Sequence, residues 1–198
     1  MRGAWSRSVV VGLMLSVAAL SGCTGPDEGP TTAPSVVESP IASPSPSPAA
    51  SAPVKPERPA AMERDDAEGA AAAAKYFIEL YPYVMATGDT EEFEAMSHRA
   101  CGFCEDALEQ AERVETNDYT YVGGGSRLDV KQAYARDPVT GIFPLDAVIA
   151  QDGSQILGRD GAVVFTAEHK RFDRRIEIGR RAGAWVVVTV APIPGAEK

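Results

Sequence analysis

The sequence has few of the residues that usually form catalytic and metal sites. Its 198 residues include three cysteines and two histidines, and no phosphate-binding, nucleophile or metal-ligand motif stands out. Because such residues and motifs are scarce, the sequence does not identify a reaction that the protein catalyses. We therefore assign no catalytic, cofactor-binding or metal-binding residue from the sequence, and we expect no cofactor.

The sequence also lacks an apolar run long enough for a transmembrane helix. Residues 9–20 form an apolar stretch of about 12 residues, whereas a helix needs about 20 to cross the hydrocarbon core. Arg2 and Arg7 precede this stretch, and two small residues follow it. Charged, apolar and small residues in that order indicate a secretory signal peptide over residues 1–22.

The residues that end this segment resemble the bacterial lipobox. In Leu20-Ser21-Gly22-Cys23 the small residues suit a narrow protease site, and the thiol is the group that accepts diacylglycerol before cleavage. Two acyl chains anchor a protein stably without a spanning helix. We therefore expect Cys23 to be the lipid attachment site and the chain to be anchored at the extracytoplasmic face of the cell membrane. An ordinary signal peptide that contains a cysteine is the alternative.

Residues 23–59 are predicted to form a disordered tether rich in Pro, Ser and Ala. Its centre is the repeat Ser43-Pro44-Ser45-Pro46-Ser47-Pro48. Such a segment has too little apolar surface to offset the entropy of ordering, and at ~3.1 Å per residue it reaches roughly 110 Å when fully extended. A Pro-rich recognition ligand or an O-glycosylated stalk is the alternative. The remainder suits one folded domain at residues 60–192, with a C-terminal tail at 193–198.

Acidic residues outnumber basic ones, which restricts the partners. The chain carries 28 Asp and Glu against 19 Lys and Arg, a formal net charge of -9. A surface of this sign disfavours nucleic acid and spontaneous binding to anionic lipid headgroups. The candidate partners are the membrane through the lipid anchor, and a cell-wall component, a small molecule or an envelope protein through the domain.

Cys101 and Cys104 are the two thiols that remain once Cys23 is lipidated. An exported protein meets an oxidising compartment, so an even pair predicts a disulfide. The Cys-x-x-Cys spacing also occurs in thiol oxidoreductases, but no βαβ unit surrounds it here. A zinc site completed by His98 and His169 is a further alternative, which oxidation of the pair would abolish.

Residue periodicity predicts helices first and strands afterwards. Apolar residues recur every three or four positions in a long helix at residues 64–86, which Asp65 or Asp66 is suited to cap and Gly88 to end, and in two shorter helices before Asn117. Beyond Tyr119 the apolar period changes to two. This order predicts an α+β domain with three N-terminal helices packed on a curved, mainly antiparallel sheet.

The order of short motifs resembles a known family. A helix ending in Ala86-Thr87-Gly88-Asp89 precedes Cys101-Gly102-Phe103-Cys104, a glycine-rich crossover at residues 123–125 and a last strand opening on Gly183-Ala184-Trp185. This layout is similar to actinobacterial lipoproteins with a single domain of unknown function, and to the cone-shaped fold of nuclear transport factor 2, ketosteroid isomerase and the SnoaL-like cyclases. The resemblance implies a cavity between helices and sheet, and it implies no established activity.

The enzymes of that fold set a test for candidate catalytic residues. Their cavity holds a carboxylate or histidine base and a group that donates to a developing oxyanion. Side chains of the required types are present at Tyr76, Tyr81, Tyr83, Tyr119, Tyr121, Tyr134, Asp129, His98 and His169. No pair of them matches the enzymes' motifs, so we expect the tyrosines to line a packed or partly open core with their hydroxyls paired.

Three basic pairs form a cluster in the second half of the chain, at Lys170-Arg171, Arg174-Arg175 and Arg180-Arg181. If Phe172 and Ile176 point inward from a strand, several of these arginines project from one sheet face and meet an acidic wall polymer or the domain's own acidic helices. A solvated strand face that opposes edge pairing is the alternative.

Together these features favour a noncatalytic ligand- or partner-binding module at the cell envelope. An envelope enzyme of the isomerase or cyclase type that uses the cavity is the first alternative, and a thiol oxidoreductase that uses Cys101 and Cys104 is the second. The resemblance also leaves a homodimer through the sheet open.

Cys23→Ala is expected to abolish lipidation, because only a thiol forms the thioether. Metabolic labelling with a fatty acid, followed by mass spectrometry, measures the effect, and Ser21→Ala is the control that should keep the label. Acyl label on the Cys23→Ala protein would contradict the assignment.

Overall fold

The structure, a computed structural model, describes residues 54–195. Cys23, the predicted signal peptide and most of the predicted tether lie outside these residues, as do the last three residues of the predicted tail. Among the helices that are described, none combines the length and the apolar character needed to cross a membrane.

The longest helix, α1, spans Ala67–Thr87. It begins close to where the sequence predicts, because the Asp66 side chain accepts hydrogen bonds from the backbone N–H groups of Glu68 and Gly69 and so satisfies donors that have no partner within the helix. It continues past Pro82 and ends at Gly88, whose φ of 71° is the left-handed conformation that glycine adopts readily.

Two shorter helices follow, α2 at Glu91–Ala95 and α3 at Gly102–Thr116. Phe93 of α2 stacks on Phe77 of α1 with ring centroids 4.2 Å apart. Cys101 caps α3, because its sulfur accepts a hydrogen bond from the backbone N–H of Cys104.

Strands fill the rest of the domain. They are β1 Thr120–Gly123, β2 Ser126–Ala133, β3 Phe143–Gln151, β4 Ser154–Leu157, β5 Val163–Ala167, β6 Lys170–Arg181 and β7 Ala184–Pro192. All the pairings between these strands are antiparallel.

The prediction of three N-terminal helices packed on one curved sheet is wrong. The described strands form two antiparallel sheets, one of four strands in the order β2-β3-β6-β7 and one of three in the order β1-β4-β5. One long helix, α1, supplies most of the helix contacts to the strands. Two of the three strands of the second sheet gave no sequence signal, because β1 and β4 have four residues each, too few to show a period of two. The single-sheet cone architecture implied by the resemblance is therefore corrected as well.

The register between β3 and β6 sets the core. Leu145 pairs with Ile176 and Ile149 with Phe172, and because side chains alternate along a strand, these four lie on one face of the sheet. That face packs with α1 into one apolar core.

The segment before α1 is held to the end of the four-stranded sheet by a pair of side chains on β6 and β7. Trp185 donates its indole N–H to the Met62 carbonyl over 2.7 Å. Arg180 lies over the Trp185 ring at 4.4 Å and donates to the carbonyls of Met62 and Arg64. These bonds satisfy carbonyl groups that the short 3-10 turn at Ala60–Glu63 leaves unpaired.

Trp185→Phe is expected to lower the free energy of unfolding by about 2 kcal/mol, because it removes a buried hydrogen bond and leaves a small cavity. Urea denaturation followed by circular dichroism measures the change. Val139→Ala, at a side chain that is 91% exposed, is the control and should stay within about 0.5 kcal/mol of the parent. Equal stability of both variants would show that the Trp185 contact contributes nothing.

Candidate functional site

A cavity of about 320 Å³ lies where α1, α3 and the two sheets meet. Most of its lining is apolar, contributed by Ile78, Met85, Phe103, Ile149, Ile156, Phe165, Ala167, Phe172 and Val190. Cavities of this size and character are typical of small-molecule sites. The polar groups that interrupt the apolar lining therefore decide what the cavity can bind.

Tyr121 on β1 supplies the most unusual of these groups. Its side chain is 7% exposed, and its hydroxyl has no hydrogen-bond partner among the described residues. The ring packs closely over the turn after β1, where a Cβ added at Gly124 would lie 2.7 Å from Tyr121 Cζ. An unpaired buried hydroxyl is costly. This oxygen has almost no accessible surface and packs against the turn at Gly124, so it can bond a cavity occupant only when the Tyr121 ring shifts away from that turn.

A second tyrosine, Tyr81 on α1, lines the same cavity. Its hydroxyl donates to Gln110 Oε1 over 3.2 Å, and burial raises its pKa to about 12. Burial also raises the pKa of Tyr121. The neighbouring Ser154 hydroxyl opposes this rise in pKa, although its geometry does not make a hydrogen bond to the phenol. Both phenols are therefore neutral donors at neutral pH.

Four further polar residues line the cavity: Gln110 of α3, Gln151 of β3, Ser126 at the start of β2 and Ser154 at the start of β4. Ser126 and Ser154 are buried. The Ser126 hydroxyl donates to the Gly124 carbonyl over 3.1 Å, which ties the turn after Tyr121 to the first residue of β2. These groups are uncharged hydrogen-bonding groups, so they give the cavity no preference for ligands of one charge.

Arg174 on β6 is the one charged residue among the described residues that line the cavity. Its guanidinium lies over the Phe172 ring at 5.0 Å and donates a hydrogen bond to the carbonyl of Asp173. Its side chain is half-buried. The cavity thus combines apolar walls, neutral donors and one cation.

This arrangement suits binding better than proton transfer. None of the described lining residues is an aspartate, a glutamate or a histidine, so the cavity offers no general base for an isomerase or cyclase reaction. The first enzymatic alternative therefore has no support from the geometry.

The remaining candidate tyrosines pair with carboxylates or lie at the surface. Tyr83 donates to Asp89 over 2.9 Å and Tyr134 to Asp146 over 2.8 Å. Burial raises the pKa of Tyr76, and a hydrogen bond with Glu92 raises it further. Tyr119 is exposed. Pairing of tyrosine hydroxyls, as expected from the sequence, thus holds for several of them and fails at Tyr121.

The other candidate groups do not meet in one site. Asp129 forms an ion pair with Lys131 on the same strand. His98 accepts a hydrogen bond from the Ala100 N–H. The Nδ1 atom of His169 lies 3.6 Å from Oδ1 of Asp152. In the described part of the chain, no three His, Cys, Asp or Glu side chains cluster as metal ligands, so the zinc alternative has no support.

The pairing of Cys101 and Cys104 is supported by the structure. Their sulfur atoms lie at disulfide-bonding distance, with Cα atoms 5.2 Å apart. Both side chains are almost fully buried. Since thiol exchange requires access to a sulfur atom, this burial favours a structural disulfide over an oxidoreductase.

The predicted basic cluster is dispersed. Arg175 makes two hydrogen bonds to Asp146, Arg180 binds the segment before α1, and Arg181 lines a separate surface cleft beside the disulfide. Arg174 faces the cavity. Sequence reasoning missed this role, although the alternation with Phe172, once that residue is placed inward, is enough to predict it.

Comparisons with known proteins place the chain in a family and show its fold. The profile of a family described as "Family of unknown function (DUF6318)" matches residues 43–191, which is well over half of the chain. No curated protein matches. The chain is similar to the crystal structure of the intermembrane space region of the chloroplast protein ARC6, with a TM-score of 0.50, 11% identity, and coverage of 66% of this chain and 99% of that one.

Two further solved structures are less similar. An uncharacterised protein with a cystatin-like fold from Caulobacter vibrioides has a TM-score of 0.36 at 14% identity, covering 65% of this chain and 93% of its own. The protein Aln2 from a Streptomyces species has a TM-score of 0.34 at 14% identity, covering 58% of this chain and 82% of its own.

Gly124→Ala is expected to destabilise the domain more than Gly161→Ala. Both glycines have a positive φ, 72° and 79°, so both substitutions strain the backbone; only at Gly124 does the added Cβ collide with Tyr121, whereas nothing lies within 4 Å at Gly161. Thermal unfolding measures the difference. In a Tyr121→Ala background the two glycine substitutions should cost the same, and a persisting difference would contradict the proposed packing.

Proposed function

We propose that this chain, which belongs to the family of unknown function DUF6318, is a lipid-anchored extracytoplasmic protein whose domain binds a small, mostly apolar molecule without transforming it. Its domain would hold the ligand outside the cell membrane, at the end of a Pro-rich tether.

The anchoring part of the proposal is supported by the sequence. The lipobox-like residues before Cys23 and the similarity to actinobacterial lipoproteins favour a lipidated N-terminus. The acidic surplus favours an anchor of this kind over attraction to anionic headgroups, because the chain itself carries the wrong sign for them.

The binding part is supported above all by the unpaired hydroxyl of Tyr121. Polar groups that are buried in proteins almost always have a partner, and leaving one unpaired costs about 1–3 kcal/mol. The hydroxyl belongs to a residue that lies in the core and also lines a cavity of about 320 Å³. A ligand with an oxygen acceptor would satisfy it while its apolar part contacts the surrounding aliphatic and aromatic side chains.

The frame of the cavity is built to keep its shape. The disulfide at the start of α3 and the hydrogen bonds of Trp185 and Arg180 to the segment before α1 stabilise the two ends of the helical layer. Restraint of these elements before a ligand enters lowers the ordering that binding requires, which favours affinity.

Octan-1-ol is a suitable probe for the proposal, because it joins a short alkyl chain to a neutral acceptor oxygen. We expect it to shift the backbone NMR signals of cavity residues in a titration of residues 23–198 carrying Cys23→Ala. Tyr121→Phe is expected to weaken binding about fivefold, which corresponds to one lost hydrogen bond of about 1 kcal/mol.

Two variants complete the experiment. Tyr119→Phe removes an exposed hydroxyl two positions away and should leave the affinity unchanged. Ala167→Trp places a large ring in the cavity and should abolish binding while the signal dispersion of the folded domain is retained. Binding that is the same in Ala167→Trp as in the parent would refute the cavity as the site.

A further inference from the structure

We infer that the cavity selects small amphipathic molecules with an anionic head group, a carboxylate in the simplest case, and that Arg174 is the residue that binds this group. This inference rests on the proposed binding function and names the chemical class of its ligand.

The position of Arg174 follows from strand geometry. It lies on β6 between Phe172 and Ile176, and side chains two apart on a strand share a face. Its paired neighbours are Ala147 on β3 and Pro192 on β7, neither of which has a polar side chain. Arg174 is therefore an arginine on the inward face of the four-stranded sheet, beside aromatic and aliphatic side chains rather than in the outer row of charges.

The guanidinium of Arg174 has donors left to give. Among the described residues no carboxylate lies within ion-pair distance of it, whereas the next residue, Arg175, forms a two-bond ion pair with Asp146 at 2.7 and 2.9 Å. A guanidinium has five N–H donors in a planar fork, and the hydrogen bond of Arg174 to the carbonyl of Asp173, at 3.0 Å, uses one nitrogen. A carboxylate or phosphate matches the fork that remains.

The charge of the surroundings strengthens the assignment. The other described residues of the lining are neutral, and the chain as a whole carries a net charge of -9, which repels anions at long range. A preference for anions would therefore have to come from Arg174 itself. At an ionic strength of about 0.15 M the Debye length is about 8 Å. Dissolved salt therefore screens the distant negative charges more than it screens a direct contact between Arg174 and an anion.

The size of the cavity limits the ligand. A volume of about 320 Å³ is near the lower end of the range of about 300–1,000 Å³ for small-molecule sites. A short-chain acid fits that volume better than a whole two-chain lipid. Tyr121 and Ser154 lie in the same lining and supply neutral hydrogen-bonding groups for further oxygen atoms of such a ligand.

Three probes with the same alkyl chain and different head groups test the inference: octanoate, octan-1-ol and octylammonium. They are titrated by NMR into residues 23–198 carrying Cys23→Ala, so that no acyl chain of the protein competes for the cavity. We expect octanoate to bind at least about tenfold more tightly than octylammonium, with octan-1-ol between them.

Arg174→Gln should weaken the binding of octanoate about tenfold more than it weakens the binding of octan-1-ol, so that the preference for octanoate is lost. Arg171→Gln is the matched control, because it removes the same charge from the opposite face of the same strand and should keep the preference. Arg174→Lys keeps the positive charge and should keep most of the preference for octanoate. This variant therefore separates the effect of losing the charge from the effect of disturbing the structure.

The outcomes distinguish the inference from the function on which it rests. If the three probes bind with equal affinity and Arg174→Gln changes none of them, the anion selectivity is overturned and the binding function stands. If Arg171→Gln reduces the preference as much as Arg174→Gln does, the assignment to Arg174 is overturned. If none of the probes binds, the proposed function fails and the inference fails with it.

Discussion

The antiparallel register between β3 and β6 is the constraint on which the core and the cavity both depend. It pairs Leu145 with Ile176 and Ile149 with Phe172, which directs four large apolar side chains toward α1. Because side chains alternate, a slip of one residue would turn this entire row outward. The same register places Arg174 on the inward face.

The outer face of the four-stranded sheet shows the complementary half of that alternation. Arg175 and Asp146 pair across β6 and β3, and Tyr134 donates to the same carboxylate. Two adjacent arginines thus have opposite surroundings, one in a cross-strand ion pair and one facing an apolar cavity. Their surroundings differ because successive side chains of a strand point to opposite faces of the sheet, and not because the two side chains differ in chemistry.

The small second sheet converts a covered helix–sheet interface into a cavity. Its strands β1, β4 and β5 contribute Tyr121, Ser154 and Phe165 to the lining, and the turn at Gly124 has room for the Tyr121 ring because it has no side chain. Apolar walls with few polar groups, no carboxylate among the described lining residues and one guanidinium form a site suited to holding a ligand. Chemistry on that ligand would need a base that the lining does not supply.

Local features of this domain could be predicted from the sequence, because neighbouring residues determine them. Asp66, one of two candidate caps, and Gly88 bound α1 through backbone capping. Cys101 and Cys104 form the even pair for which the oxidising compartment of an exported protein predicts a disulfide. The split into two sheets and the unpaired hydroxyl of Tyr121 were decided by tertiary structure alone. They depend on pairings such as β1 with β4, between segments more than thirty positions apart, and strands of four residues leave no periodic signal of the partners they will find.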